Sequence, residues 1–355
     1  MSAPACQHCG FAHDAAADRC PRTGHAMSEP GLCGTQLDRY LVERLLGTGG
    51  FGSVYLARHA RTRSQVALKV LKKELMTNAN VLERFLREAT TAASVGSEHL
   101  VRVVDAEVTA DQVAFIAMEY VEGDDLKALV AKEGRLHPAR TVDLVCQVLR
   151  GLAAAHDKGI IHRDIKPGNI FVTRRRDVHG REHELAKVLD FGISKVVGAA
   201  AITAAGMAMG TPSYMAWEQF TDSREVDART DLYAVAVMLF ELLAGEKPFD
   251  GESIPALMNN VRIGERRELR ELVPSLPVPL CAVVEKGLQK HRERRWQSAR
   301  EFCAALEHAG QLLAVPPPLA PSPEVAPERT ERIDAQRMVD TVRRPAAGDE
   351  ATSKG

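Results

Sequence analysis

The rhythm of apolar and polar positions changes several times along the chain, and each change predicts an element. From Tyr40 the pattern is that of strands. Residues 41–46 lead into a glycine turn, and residues 54–57 beyond it are apolar with β-branched and aromatic members. Val66-Ala67-Leu68-Lys69-Val70-Leu71 reads as a further strand with one lysine set among apolar neighbours. Residues 81–89 are amphipathic at helical spacing, and residues 100–104 and 113–118 are strand-like. Beyond Gly123 the pattern turns helical. Asp124 or Asp125 can cap a short helix, and Leu144, Val145, Val148, Leu149 and Leu152 mark one face of a longer one ending near His156. The runs 170–172 and 186–189 have strand length, and the polar stretch 173–184 between them reads as a long solvated hairpin tip. Residues 232–244 form the most apolar helix, closed by Gly245 with Pro248 shortly after, and further helices run to about Leu313.

Outside these patterns the chain is of another kind. Residues 1–34 are small, polar and rich in Cys and His. Residues 193–209 are Ala- and Gly-rich, too poor in apolar bulk to order themselves, and from Ala314 a Pro-rich and then charged stretch reads as disordered to residue 355. A short helix near residues 331–342 is an option there, with Thr330 and Thr341 as accessible phosphoacceptors.

At 355 residues and 45% hydrophobic, the chain has room for one large two-lobed domain, or two domains, plus appendages. A net charge of −1 gives no electrostatic case for nucleic acid or membrane binding. The run Arg174-Arg175-Arg176 has no interleaved aromatics for stacking bases. No window reaches the roughly eighteen uninterrupted apolar residues that a membrane span needs, and no basic-then-apolar signal opens the chain. A soluble, cytoplasmic protein is expected. Of seven cysteines, Cys146, Cys281 and Cys303 fall in apolar helical patterns and read as small buried hydrophobes. Cys6-x2-Cys9 has the spacing of a metal knuckle, and Cys20-Pro21 could begin a second whose partner position holds Thr23. Cys6, Cys9 and Cys20 are thus candidate zinc ligands, with His25 or Cys33 as a fourth, and His8 or His13 less convenient. A degenerate zinc ribbon and a flexible leader with structurally idle cysteines both stay open.

The chemistry concentrates in His162-Arg163-Asp164-Ile165-Lys166-Pro167-Gly168-Asn169, between a helix and a strand, and in Asp190-Phe191-Gly192 behind the next strand. The glycine turn Gly47-Thr48-Gly49-Gly50-Phe51-Gly52 is weak evidence alone, but it is followed by a strand where a dinucleotide-binding turn is followed by a helix. A lysine inside an apolar strand, Lys69, costs desolvation unless it is paired.

Together, in order and spacing, these features resemble protein kinases, specifically bacterial serine/threonine kinases of the eukaryotic type, over roughly residues 40–309. The resemblance implies an α+β bilobal kinase fold. An antiparallel sheet with one key helix makes the N-lobe (about 38–121), and a mostly helical C-lobe (about 122–310) completes a domain over 38–310. It implies transfer of the ATP γ-phosphoryl group to Ser/Thr hydroxyls of protein substrates, with autophosphorylation, in bacterial-type signalling. Asp164 would take the hydroxyl proton, Lys166 would neutralise the transferring group and Thr211 would fix both. Lys69, paired with Glu88, would hold the α- and β-phosphates. Asn169 and Asp190 would bind magnesium, with manganese as the alternative ion. Leu46, Gly47, Thr48, Gly49, Gly50, Phe51, Gly52 and Val54 would cover the nucleotide from above. Ala67 and Phe171 would sandwich the adenine with Val54, Glu119 and Val121 would meet its edge, and Met118 would be the gatekeeper. Glycines in the turn would admit the phosphates and tolerate positive φ.

The same resemblance gives structural and regulatory roles. Glu218 would pair, buried, with Arg295; Asp231 would brace the catalytic loop; Arg163 would meet a phosphate on the activation loop, with Thr203 the best-placed acceptor ahead of Ser194. Two positions depart from the family pattern: Trp217 stands where proline is usual, and Ala236 where a glycine usually ends the motif begun by Asp231. A scaffold that has lost transfer is the competing reading. Lys69, Asp164, Asn169 and Asp190 are all present against it. Phosphothreonine-binding or scaffold partners, through the leader or tail, are compatible with either.

Overall fold

The strand-like runs before Glu119 assemble into one antiparallel sheet. β1 (Gln36–Leu37), β2 (Tyr40–Thr48), β3 (Gly52–His59), β4 (Gln65–Leu71), β5 (Val103–Val108) and β6 (Ala114–Glu119) lie in the order β1-β2-β3-β4-β6-β5. The computed structural model describes residues 5–12, 19–23, 31–189, 212–221 and 226–313. Between β4 and β5 come α1 (Lys73–Met76) and α2 (Ala79–Ala93), whose Asn78 cap accepts from the N–H groups of Asn80 and Val81. Val81, Phe85 and Ala89, one turn apart, bury against Ile116 and Met118 of β6. Phe115 and Ala117 point to the other face of that strand and meet Tyr40, Val42, Tyr55 and Leu68. The Tyr40 and Phe115 rings pack edge to face, 5.8 Å apart.

That second face has an unexpected cover. Cys6, Cys9, Cys20 and Cys33 are all buried in the same cluster as Tyr40, Val42 and Phe115. The described parts of the N-terminal segment therefore form a layer on the sheet and are no free leader. Periodicity could not reveal this, because the segment contributes sulfurs and turns to the core where a helix or strand would contribute a stripe.

The lower lobe is built from β7 (Asp124–Asp125), α3 (Leu126–Glu133), α4 (Pro138–His156), β8 (Ile170–Arg176), β9 (Glu182–Val188), α5 (Trp217–Thr221), α6 (Ala228–Ala244), α7 (Ile254–Ile263), α8 (Leu269–Leu272), α9 (Val278–Gly287) and α10 (Ala299–Gly310). α6 is buried on nearly every side and is its central post. Asp227 caps its start, and Gly245 ends it in the left-handed region at φ 81°, its N–H donating to the Glu241 carbonyl. Cys146 of α4 and Cys303 of α10 are buried where those helices cross, the Cys146 thiol directed at the Cys303 carbonyl. No helix among the described residues is long and apolar enough to cross a membrane.

Two expectations about elements are corrected. The stretch 173–184 is no long loop: β8 and β9 pair from Ile170↔Val188 to Arg176↔Glu182, and only residues 177–181 turn. Opposite charges face each other across this ladder, Arg176 lying 3.2 Å from Glu182, so a polar stretch makes a paired hairpin. The apolar run 100–104 is not itself the strand, which begins at Val103. Leu100 bridges to Val188 instead, and the Val101 N–H donates to the Val188 carbonyl at 3.0 Å, tying the upper sheet's approach to β9.

Candidate active site

The loop after α4 is fixed first by one buried carboxylate. Asp231, in the first turn of α6, is fully buried. Its Oδ1 accepts from the Arg163 N–H (2.7 Å), and its Oδ2 from the His162 N–H and from His156 Nε2 (2.8 Å each). His162, also fully buried, donates from Nε2 to the Leu189 carbonyl at 2.7 Å, while its Nδ1 accepts from the Asp164 N–H. Arg163 adopts φ 65°, a conformation a bulky residue holds only when its surroundings demand it. Here they do: Asp231 takes its N–H, and Gln219 Nε2 of α5 donates to its carbonyl at 3.1 Å.

This frame presents three side chains on one surface. Lys166 Nζ lies 2.7 Å from Asp164 Oδ2, and Asn169 Nδ2 donates to the same oxygen (3.1 Å) and to the Asp164 carbonyl (2.8 Å). With its NH₂ so occupied, Asn169 has its Oδ1 to offer a cation. The Leu189 N–H donates to the Asn169 carbonyl at 2.8 Å, so the end of β9, which leads to Asp190, runs beside the loop. Asp190, Ser194, Thr203 and Thr211, the side chain of Glu88, His13, His25, and the tail with Thr330 and Thr341 lie outside the described residues.

Above the loop opens a cleft of about 630 Å³. Asp164, Lys166 and Asn169 form part of its floor, and the turn between β2 and β3 its roof. All residues from Leu46 to Phe171 assigned above to the nucleotide line it together. Ala67 and Lys69 alternate in β4 with buried Val66, Leu68 and Val70, and so face the cleft half-buried.

The turn's glycines work differently from the expectation. None of Gly47, Gly49, Gly50 and Gly52 has a positive φ. Gly52 is needed for close approach, since a Cβ there would sit 2.1 Å from the Val70 carbonyl oxygen. A Cβ on Gly47 would meet nothing within 4 Å and would instead take space that a phosphate could fill.

At the back of the cleft the Glu119 N–H donates to the Arg102 carbonyl at 2.9 Å. Its carboxylate Oε1 accepts from the Arg102 N–H (2.9 Å) and from Lys187 Nζ (2.6 Å), a lysine of β9 that is 4% exposed. Lys187 received no role from sequence reasoning. The signal was available, for it is a lysine within the apolar run 186–189, as Lys69 is within 66–71. His156 and Gln219 were missed without any such signal, being ordinary polar residues in helices.

The helices below hold this surface. Arg295, 1% exposed, forks onto Glu218 through Nη1–Oε1 (2.7 Å) and Nη2–Oε2 (2.9 Å), and the Thr230 hydroxyl donates to the same carboxylate. Burial pushes the Glu218 carboxyl up, but the Arg295 fork outweighs it and holds it below the ordinary carboxylate range. Trp217 occupies the first position of α5, where proline is favoured but not required, and packs half-buried against the lower core with Lys290 over its ring.

Comparison with known proteins agrees with this geometry. A family model described as the protein kinase domain matches residues 40–308. Serine/threonine-protein kinase pkn3 of Myxococcus xanthus is 43% identical over 279 residues, covering 76% of this chain and 49% of its own length. Serine/threonine-protein kinase PknB of Mycobacterium tuberculosis is 35% identical over 311 residues, 84% of this chain and 46% of that protein. The chain thus spans about half the length of these curated relatives. Among solved structures, the PknI kinase domain of Mycobacterium tuberculosis is similar at a TM-score of 0.61 and 29% identity, over 78% of this chain and 98% of that one.

Proposed function

This chain belongs to the protein kinase family, and from that premise we propose that it transfers the γ-phosphoryl group of ATP to serine or threonine hydroxyls of proteins, itself included. The observation that carries the reading is the Asp164–Lys166–Asn169 constellation beneath a glycine turn on one cleft. We take residues 38–310 as the catalytic domain, acting in the bacterial type of signalling that its relatives' names and organisms suggest.

Phosphoryl transfer asks a protein for alignment and charge neutralisation more than for covalent chemistry. ATP would enter with its adenine between Val54, Ala67 and Phe171. The Glu119 carbonyl and the Val121 backbone would meet the base's edge, since the Glu119 N–H is engaged by Arg102. Lys69, paired with Glu88, would hold the inner phosphates under the turn. Asp164 would receive the acceptor's proton as the oxygen–phosphorus bond forms. Its carboxylate is pre-oriented by Lys166 and Asn169, and Lys166 is long enough to follow charge toward the departing phosphoryl group. Thr211 would fix both in place. Asn169 Oδ1 and the Asp190 carboxylate are hard donors suited to magnesium, or to manganese in its place; the bound ion would offset the charge of the phosphate oxygens. A zinc ion at Cys6, Cys9 and Cys20 would sit on the far face of the upper sheet and take no part in transfer.

Arg163 is held at the loop's edge by its own backbone, and its guanidinium would meet a phosphate on Thr203. Mapping phosphosites on active protein checks this: Thr203 unmodified, with a fully active Thr203→Ala variant, would remove that role. We place the reaction in the cytoplasm, where ATP is supplied and thiols stay reduced. Partners that read phosphorylated Thr330 or Thr341 would lose binding when both are replaced by alanine. The transfer itself is tested by incubating purified protein with γ-labelled ATP, magnesium and a generic protein acceptor, then identifying the labelled amino acid. Phosphoserine or phosphothreonine supports the proposal. Label confined to tyrosine, or no label despite measurable ATP binding, overturns it.

A further inference from the structure

Four cysteines on the far side of the upper sheet have no part in the transfer chemistry. The Sγ atoms of Cys6, Cys9 and Cys20 lie within 4.8 Å of one another, all three buried. Cys33, 6% exposed, packs into the same cluster. All four are thiols, not disulfides.

The backbone around them is shaped like a metal site. The His8 N–H points at Cys6 Sγ (3.4 Å), and the Gly10 N–H donates to the Cys6 carbonyl (2.7 Å) as the chain turns through Gly10 at φ 78°. Cys33 is followed by Gly34 at φ 84°, repeating the Cys9–Gly10 step, while residues 21–23 after Cys20 make a turn of their own. The tight turn through a positive-φ glycine that the second knuckle lacks at Thr23 is thus supplied ten residues later by Cys33–Gly34. Thiolates at this density repel one another unless a cation lies among them, and four soft sulfur donors suit a tetrahedral zinc ion.

We propose that Cys6, Cys9, Cys20 and Cys33 hold one zinc ion as four thiolates, and that this metal clamps the N-terminal segment onto β2, the strand that leads into the glycine turn. Binding replaces four S–H protons, which leave to solvent, by four S–Zn bonds, with no change of oxidation state. The clamp is visible in the backbone. The Leu45 N–H donates to the Cys9 carbonyl (3.0 Å), the Cys33 N–H to the Gln7 carbonyl (2.7 Å), and the Gly34 N–H to the Val42 carbonyl (2.8 Å). A Cβ on Gly10 would come within 2.6 Å of the Glu43 carbonyl oxygen, so the first knuckle lies directly on β2. β1 pairs only with Tyr40 and Leu41, and the knuckles cover the remaining outer edge of β2 as far as Leu45, two residues before Gly47. The site itself is independent of the kinase reading; only its consequence for the nucleotide's roof rests on it.

The full chain, purified without chelator, should carry one zinc by elemental analysis. Cys6→Ser, Cys20→Ser and Cys33→Ser should each lose it, whereas His8→Ala, His25→Ala and Cys303→Ser should keep it. The last is the control for the second sulfur cluster, Cys146, Cys303 and Glu307, where only two thiols meet. Since a serine variant could fail to fold, the wild-type chain is also titrated with a mercurial. Zinc should be released in step with modification of four thiols, and the cobalt-substituted chain should show the charge-transfer absorption of a tetrathiolate site. A zinc-free wild type, zinc retained in Cys33→Ser, or zinc lost in His25→Ala overturns the proposal. Asp164→Asn should keep its zinc while losing transfer, so the two readings fail separately.

Discussion

At the residue scale, most of the candidate chemistry is set by groups that would never touch substrate. Asp231 accepts three hydrogen bonds from the loop after α4 and from that helix, two of them from consecutive backbone N–H groups. Asp231→Asn turns one accepting oxygen into a donor facing a donor. It should lower kcat about a hundredfold, the cost of a misplaced reacting group, while leaving KM for ATP nearly unchanged because the cleft walls are untouched. Steady-state kinetics check this, and a parallel loss of ATP affinity would mean that Asp231 supports the fold generally. Lys187 is the residue whose role only the folded chain reveals. Lys187→Met should leave Glu119 short of a partner, cost about 1–3 kcal/mol in thermal or denaturant unfolding, and raise KM for ATP more than it lowers kcat. An unfolding midpoint equal to wild type would contradict the pairing. Both Lys69 and Lys187 stand within apolar runs of the sequence, residues 66–71 and 186–189. Family resemblance supplied a reason for one alone.

At the scale of elements, the Glu218–Arg295 fork fastens α5 to the segment before α10, and α5 in turn fastens Arg163 through Gln219. Arg295→Met should destabilise the chain by about 3–5 kcal/mol, since it leaves a buried carboxylate without its cation. Adding Glu218→Gln to that variant should recover part of the loss, which a double-mutant cycle in denaturant would measure. The pH dependence follows from the direction of the shift. The folded Glu218 carboxyl is held below its unfolded range, so the fork stabilises fully above that range, and the contribution is lost as pH falls from about pH 5 down through the lower folded value. Glu218→Gln should therefore flatten the acid limb of a stability–pH curve, and an unchanged limb would refute the assignment.

Element types were legible where one period dominated, as in α2, α4 and β4. They were misread where polar residues build structure by pairing, in the β8–β9 hairpin. They were also misread where turns and sulfurs replace periodic apolar stripes, in the N-terminal layer. Gly10→Ala probes that layer without removing a ligand. It should loosen β2 and raise KM for ATP, and unaltered kinetics would show that the layer is only a cover.

At the scale of the whole molecule, the described residues form a sheet covered on two faces and a helical lobe built around α6, with the cleft between the glycine turn and the loop that carries Asp164. That architecture could be read in outline from the order of strands and helices together with the motif spacing. What stayed hidden is the long-range pairing that stiffens it, such as His156 to Asp231, 75 residues apart, because separation along the chain carries no periodic signal. The central claim is that Asp164 on this scaffold acts as the base for transfer to a hydroxyl. It is tested most directly by comparing wild type and Asp164→Asn at matched ATP occupancy in a single-turnover transfer of labelled γ-phosphate. The account predicts that ATP affinity is retained while the transfer rate falls by about 10²–10⁴-fold. Equal rates in the two proteins, or a variant that loses ATP binding along with transfer, would contradict it.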